Sequence, residues 1–174
     1  MAASTKLAAG AVFPTRMAWP RVGGGEVAPA ADGGWRMLVV YRGRHCPLCK
    51  KYLKALDGLL GEFEAAGIAV AAVSGDPEEK AAADAAEQGW RFPLAYGMTV
   101  AQMRELDLYV SAPRSPQETD RPFPEPGLFV LNPEGEVQII DVSNAPFARP
   151  ELAAVLAGIK FIQEKRYPIR GTLA

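Results

Sequence analysis

Short apolar runs that alternate with helical segments constrain the fold of this 174-residue chain more than any other feature. Residues 35–41 (WRMLVVY) and 68–74 (IAVAAVS) are continuous β-rich runs, as expected of strands that are covered on both faces. Between them, residues 46–67 place leucines at helical spacing and end at Gly67, a typical helix stop. A strand, a helix and a second strand in this order predict a parallel β-α-β unit.

The remainder of the chain extends this pattern. Asp76 is predicted to cap a second helix with Pro77 at its first position, and Thr99 to open a short third helix. The other predicted elements are an edge strand in 11–19, a third central strand in 92–97, a β-hairpin over 127–143 and a closing helix over 149–167. The sequence therefore predicts an α/β domain with a central mixed sheet flanked by helices.

Charge and hydropathy exclude several classes of partner. The chain has 19 basic and 20 acidic residues and a net charge of −1, so no basic field is available to attract nucleic acid. No segment reaches the roughly 18 uninterrupted apolar residues that a membrane-spanning helix needs, and the N-terminus lacks a sustained apolar core. We expect a soluble cytoplasmic protein with neither nucleic acid nor membrane as a partner.

Both cysteines and the only histidine lie in one stretch, residues 39–53 (VVYRGRHCPLCKKYL), at the predicted strand-to-helix junction. The free backbone N–H groups and the dipole of a helix start favour a thiolate there. Four nearby cations act in the same direction: Arg42, Arg44, Lys50 and Lys51. Cys46 and Cys49, three residues apart, lie on the same side of the first turn, near enough to close a disulfide. Pro47 suits the first helical turn because it needs no amide donor.

Three interpretations of the cysteine pair are open. A structural zinc site needs four ligands, whereas the chain has two cysteines and one histidine. Buried cysteines can also be inert apolar side chains. Redox or peroxide chemistry is favoured because the pairing, the helix start and the cations coincide. We therefore expect no cofactor and no metal, and we consider His45 as a group that could hydrogen-bond a thiol.

These residues resemble the thioredoxin-fold superfamily, and within it the peroxiredoxin-like proteins of the alkyl hydroperoxide reductase and thiol-specific antioxidant (AhpC/TSA) family. The similar segments are KLAAGAVFPTRMAW (6–19), MLVVYRGRHCPLCKKYLKAL (37–56), IAVAAVSGDPEE (68–79) and PGLFVLNPEGEV (126–137). The resemblance covers about residues 6–165, which implies a single domain over 1–174 with its core at about 6–165. It also implies a thioredoxin-like fold with a peroxiredoxin-like N-terminal extension.

The sequence departs from this family at two positions. Cys46 stands where peroxiredoxins carry threonine or serine three residues before the attacking cysteine, which gives a thioredoxin-like CxxC motif. Pro126 stands where the family commonly has an arginine that holds the thiolate and peroxide. Pro126 is predicted to match the cis-proline of thioredoxins. Arg121 and Arg149 are candidates to replace the missing arginine, and Arg44 to support the thiolate.

The resemblance implies a thiol-dependent peroxide reductase. Cys49, at the family's position, would attack the peroxide and become a sulfenic acid, and Cys46 would then form the disulfide. An external thiol reductant, such as a thioredoxin or glutathione system, would restore the pair, and a homodimer is an assembly to test. In the alternative, a thioredoxin-like disulfide oxidoreductase, Cys46 attacks and Cys49 resolves. A further alternative is a non-catalytic interaction module that binds through the loop 111–126.

Overall fold

A five-stranded sheet organises the computed structural model, which describes residues 6–31 and 33–173. The strands of the described residues are β1 (Trp19–Pro20), β2 (Glu26–Val27), β3 (Trp35–Val40), β4 (Ile68–Val73), β5 (Leu94–Ala95), β6 (Val110–Ser111), β7 (Phe123–Pro124), β8 (Gly127–Leu131) and β9 (Val137–Val142). The helices of the same residues are α1 (Pro47–Ala65), α2 (Glu78–Gln88), α3 (Val100–Glu105) and α4 (Leu152–Lys165).

The central sheet has the order β5-β4-β3-β8-β9. β3 pairs in parallel with β4, which pairs in parallel with β5. On its other side β3 pairs antiparallel with β8, and the β8–β9 hairpin completes the sheet. The predicted mixed sheet flanked by helices is confirmed, and the carboxyl ends of the parallel strands meet at one edge, where α1 begins.

Two layers of side chains cover the sheet, because successive residues of a strand point to opposite faces. Met37 and Val39 of β3 pack with the apolar face of α1 and with α4. Leu38 and Val40 pack on the opposite face, where the N-terminal segment and α3 supply the covering side chains. Both faces of β3 are therefore covered by apolar side chains, as its continuous apolar run predicts.

The hairpin turn also forms where its sequence predicts it. The Asn132 side-chain oxygen accepts hydrogen bonds from the backbone amides of Glu134 and Glu136, at 3.0 Å each. Gly135 adopts φ +79°, a conformation that favours glycine. This turn chemistry sets the register in which β8 and β9 pair.

Two predictions about local structure are wrong. Residues 11–19 do not form an edge strand: only Val12 makes a single bridge, to Glu136, and regular pairing starts at Trp19. Asp76 does not cap α2, whose N-cap is Pro77 without a side-chain hydrogen bond. Asp76 is instead buried, and its carboxylate accepts a hydrogen bond from the Arg44 amide in the loop before α1.

The capping box of α3 gives a first prediction. The Thr99 hydroxyl accepts a hydrogen bond from the Gln102 amide at 3.2 Å, and the Gln102 side chain accepts one from the Thr99 amide at 2.9 Å. We expect Thr99→Ala to lower the free energy of unfolding by about 1 kcal/mol, because it removes this cap. Urea unfolding measures the change, and Thr172→Ala, at an exposed position, is the control. Equal midpoints for the two variants would contradict the prediction.

Candidate active site

The two cysteines lie at the first turn of α1, immediately after the loop that leaves β3. Cys46 is the N-cap residue and Pro47 occupies the first helical position, as predicted. The Cys49 amide donates a hydrogen bond to the Cys46 sulfur at 3.2 Å. Both cysteines are free thiols, and both are buried. The Cys46 sulfur therefore occupies the position where a helix start stabilises a negative charge.

A buried carboxylate holds the loop that carries Cys46. Asp76 accepts a hydrogen bond from the Arg44 amide at 2.7 Å. Gly43 passes so close to this carboxylate that a Cβ added there would lie 2.8 Å from an Asp76 oxygen. The Gly43 carbonyl accepts from the Cys46 amide at 3.1 Å. Asp76 thereby fixes the backbone from which Cys46 enters the helix.

Arg42 is a cation that acts on the cysteine pair. The pKa of Cys46 is lowered by its contacts with Cys49 and, after these, by the charge and side chain of Arg42. Its Nε atom lies 3.2 Å from a carboxylate oxygen of Glu125, and its guanidinium carbon lies 4.7 Å from the ring centre of Phe123. Arg42 thus acts on Cys46 and is itself held by an acid and an aromatic ring.

The two thiols differ in the direction in which their pKa values are shifted. The pKa of Cys46 is lowered to about 6, mainly because the Cys49 thiol donates a hydrogen bond to it, with further help from the Cys49 amide and Arg42. The pKa of Cys49 is raised by that same hydrogen bond to Cys46 and by burial. Of the two thiols, Cys46 is therefore the one that ionises first.

His45 directly precedes Cys46, but its side chain is not bonded to it in any hydrogen bond of the described residues. Its ring contacts Phe123 edge to face, with ring centres 4.5 Å apart. Both ring nitrogens are buried, and neither has a hydrogen-bond partner in the part of the chain that the structure describes. Burial, followed by the charge of Arg42, lowers the pKa of His45, so the imidazole is neutral at pH 7.

The other predicted cations divide between two places. Arg149 lies near Cys49, whose pKa it lowers, and stacks on Tyr52 with 4.4 Å between its guanidinium carbon and the ring centre. Arg44 instead binds Asp84 and Glu87, at 3.2 Å and 2.6 Å. Arg121 pairs with its exposed neighbour Asp120 at 2.9 Å. Of the predicted replacements for the family's arginine, Arg149 is the one whose charge acts on Cys49.

The prediction for Pro126 is wrong in one respect. No cis peptide bond occurs in the described part of the chain, so Pro126 does not reproduce a cis-proline. It is buried directly before β8, and its carbonyl accepts a hydrogen bond from the Ser143 amide at 3.0 Å. This bond continues the β8–β9 ladder by one residue, which requires an extended chain at that point.

Sequence reasoning overlooked the acids of the site. Glu125 and Asp84 are buried beside cations, and Asp76 holds the loop. Arg42 appeared only as one of four nearby cations. One signal was available for Glu125: it directly precedes the proline that opens a fully buried strand, a position where an acid needs a partner.

The AhpC/TSA family model matches residues 15–140. The chain belongs to the AhpC/TSA family. The match spans most of the chain, including the cysteine pair, β8 and the first part of β9. No curated protein matches the sequence.

Solved peroxiredoxin structures share the fold of this AhpC/TSA protein. A cysteine-to-serine mutant of peroxiredoxin 6 from Arenicola marina is 20% identical, with a TM-score of 0.74, over 91% of this chain and 74% of that one. A peroxiredoxin-like protein from Aquifex aeolicus is 14% identical, with a TM-score of 0.75, over 90% and 88%. The reduced 2-Cys peroxiredoxin of Plasmodium vivax is 18% identical, with a TM-score of 0.73, over 95% and 91%. The predicted thioredoxin-like fold is confirmed.

Family membership supports a thiol-dependent peroxidase, with peroxides as substrates and thiols as reductants. Neither the disulfide oxidoreductase nor the interaction-module hypothesis gains support over it. Within the described residues, no helix is both long enough and apolar enough to cross a bilayer.

Proposed function

We propose that this protein reduces hydrogen peroxide or organic hydroperoxides through the thiolate of Cys46 and a Cys46–Cys49 disulfide. The observation that carries the proposal is the N-cap position of Cys46, whose sulfur accepts a hydrogen bond from the Cys49 amide. A thiolate, not a thiol, is the nucleophile in such chemistry. The site supplies that thiolate and a second thiol next to it.

The reaction has three steps. The Cys46 thiolate attacks the terminal oxygen of ROOH: the S–O bond forms, the O–O bond breaks, and RO⁻ leaves and takes a proton. The Cys49 thiol then displaces water from the Cys46 sulfenic acid, which forms the disulfide. Two electrons and two protons from an external dithiol, or from two monothiols, finally restore both thiols.

The roles of the two cysteines differ between the family position and the geometry. The family position predicts Cys49 as the attacking thiolate. The geometry favours Cys46, because its sulfur lies at the N-cap of α1 and accepts a hydrogen bond from the Cys49 amide. We therefore assign the attack to Cys46 and the resolving step to Cys49.

The partners follow from this chemistry. A thioredoxin or glutathione system is the proposed reductant, because the disulfide between two buried sulfurs needs an external thiol to open it. Such reductants keep thiols reduced in the cytoplasm, which is the proposed location. A homodimer is the proposed assembly, and sedimentation of the purified protein tests it.

Rapid mixing of the fully reduced protein with hydrogen peroxide tests the proposed activity. We expect oxidation at least about a hundredfold faster than that of a free cysteine at the same pH. The site favours the thiolate form of the cysteine, and it holds hydrogen-bond donors in position around the sulfur. Mass spectrometry should find one intramolecular Cys46–Cys49 disulfide that dithiothreitol reverses. Oxidation no faster than that of a free thiol, with both hydrogen peroxide and an organic hydroperoxide, would contradict the proposal.

The pH dependence of the peroxide step gives a further prediction. Because the pKa of Cys46 is lowered to about 6, the rate constant should rise roughly tenfold per pH unit below this value and level off above about pH 7. The sign follows from the thiolate being the reactive form. Stopped-flow kinetics between about pH 4.5 and about pH 9 measures the profile. A rate that keeps rising to about pH 8.5, like that of an unperturbed cysteine, would contradict the lowered pKa.

A further inference from the structure

We propose that Arg42 is the cation that stabilises the reacting sulfur, and that Glu125 positions its guanidinium. This inference rests on the proposed function and deepens it, because it names the residues that complete the site of peroxide reduction. The stabilising cation then lies on the loop after β3. The sequence had instead suggested Arg121 and Arg149 for this role.

Arg42 is suited to this role because its guanidinium lies beside the turn that carries Cys46. The Phe123 ring under this guanidinium, at 4.7 Å, also contacts His45, the residue before Cys46, at 4.5 Å. After the contacts with Cys49, the charge and side chain of Arg42 lower the pKa of Cys46. The side chain is mostly buried, with 19% of its surface exposed. Water therefore screens this cation less than the exposed arginines of the chain.

The guanidinium is held in place by three groups from another segment. The Glu125 carboxylate lies 3.2 Å from Nε, and the guanidinium carbon lies over the Phe123 ring at 4.7 Å from its centre. Glu118 approaches the Nη2 atom at 4.0 Å. Glu125 is itself fixed, because it is buried and its other oxygen accepts a hydrogen bond from the Ser111 hydroxyl at 2.7 Å. The position of Arg42 therefore depends on this acid.

The chemistry requires such a fixed cation. As the S–O bond forms and the O–O bond breaks, negative charge moves from the sulfur to the departing oxygen. A guanidinium has five N–H donors in a rigid fork, so one group can donate to the sulfur and to the departing oxygen while Nε faces Glu125. A donor already in position stabilises this charge without having to reorganise during the reaction. The carboxylates of Glu118 and Glu125, at 4.0 Å and 3.2 Å from the guanidinium, partly offset the charge of Arg42.

Other arginines near the site are occupied elsewhere. Arg44 binds Asp84 and Glu87, and Arg121 binds Asp120. Arg149 stacks on Tyr52 and acts on Cys49, which is the resolving thiol in the proposed reaction. The charge of Arg42, in contrast, acts on Cys46.

Two substitutions of Arg42 separate its charge from its shape. We expect Arg42→Met to raise the alkylation pKa of Cys46 by at least about one unit and to slow the peroxide step by at least about tenfold. Arg42→Lys should keep the pKa within about half a unit of wild type yet slow the peroxide step, because lysine keeps the charge without the planar fork. Iodoacetamide alkylation against pH, mapped by mass spectrometry, gives the pKa.

Two substitutions of Glu125 test positioning. Glu125→Gln keeps an oxygen that can face Nε and should leave the rate within about threefold of wild type without raising the pKa of Cys46. Glu125→Leu removes the acceptor and should reproduce the slower peroxide step of Arg42→Met. Arg121→Met, on the same segment, is the matched control and should behave as wild type.

The role of Arg42 can be tested independently of the proposed peroxidase activity. Alkylation needs no peroxide, so a pKa shift in Arg42→Met without any peroxidase activity in wild type would uphold Arg42 and reject the function. The inference is overturned if Arg42→Met matches Arg121→Met in both readouts, or if Glu125→Gln and Glu125→Leu have the same rate. Should Glu125→Leu fail to fold, a rate in Glu125→Gln as slow as that of Arg42→Met would overturn the positioning role.

Discussion

Replacing Cys46 with serine is expected to reduce the rate of the peroxide step by on the order of a thousandfold or more, because a hydroxyl cannot replace the thiolate as nucleophile. Cys49→Ser should retain the first oxidation at a rate within about tenfold of wild type. The serine hydroxyl can still donate to the Cys46 sulfur, and the amide of residue 49 remains in place. The second variant should, however, be unable to turn over through an internal disulfide.

Trapping with dimedone identifies the oxidised cysteine in each variant. We expect a Cys46 sulfenic acid in Cys49→Ser and no rapid trapping in Cys46→Ser. The reverse pattern, with a rapidly formed sulfenic acid on Cys49, would show that the family position decides the attacking residue and that the hydrogen bonds to Cys46 do not. Wild-type protein, which should yield only the disulfide, is the control for trapping.

Gly43→Ala is expected to lower the free energy of unfolding by about 3 kcal/mol and to impair the peroxide step. Gly43 has φ +133°, which L-residues rarely adopt, and the new Cβ would lie 2.8 Å from the Asp76 carboxylate. Relief of this overlap must move either the loop or the acid. Both movements weaken the Asp76 bond to the Arg44 amide and displace the turn that presents Cys46.

Gly58→Ala is the matched control for this substitution. Gly58 lies on the exposed side of α1, and nothing lies within 4 Å of a Cβ added there. The control should raise the stability by about 0.5–1 kcal/mol, because alanine favours a helix over glycine. Urea unfolding and the peroxide assay measure both variants. A Gly43→Ala protein as stable and active as wild type would show that the loop before Cys46 accommodates a side chain.

The elements that depend on neighbouring residues were predictable from the sequence. Pro47 and Gly67 mark the two ends of α1, and Thr99 opens α3, because caps and stops act within one turn. The turn around Asn132 was predictable for the same reason. The local chemistry of these residues is satisfied by the fold, so their patterns were reliable. Asp76 shows the limit of such patterns. Its residue type suits a helix cap, but its carboxylate accepts a hydrogen bond from the distant Arg44 amide instead.

The candidate site likewise has one part that the sequence predicts and one part that depends on tertiary contacts. The sequence by itself determined that two thiols lie at a helix start behind a buried strand, since Cys46 and Cys49 are part of that local pattern. Only the tertiary structure brings the Cys49 amide to the Cys46 sulfur and Glu125 to Arg42, the contacts on which both proposals depend. Arg42 and Glu125 come from separate strand ends that meet because β3 and β8 are neighbours in the sheet. Side-chain electrostatics depends on distance in space, and sequence patterns report only distance along the chain.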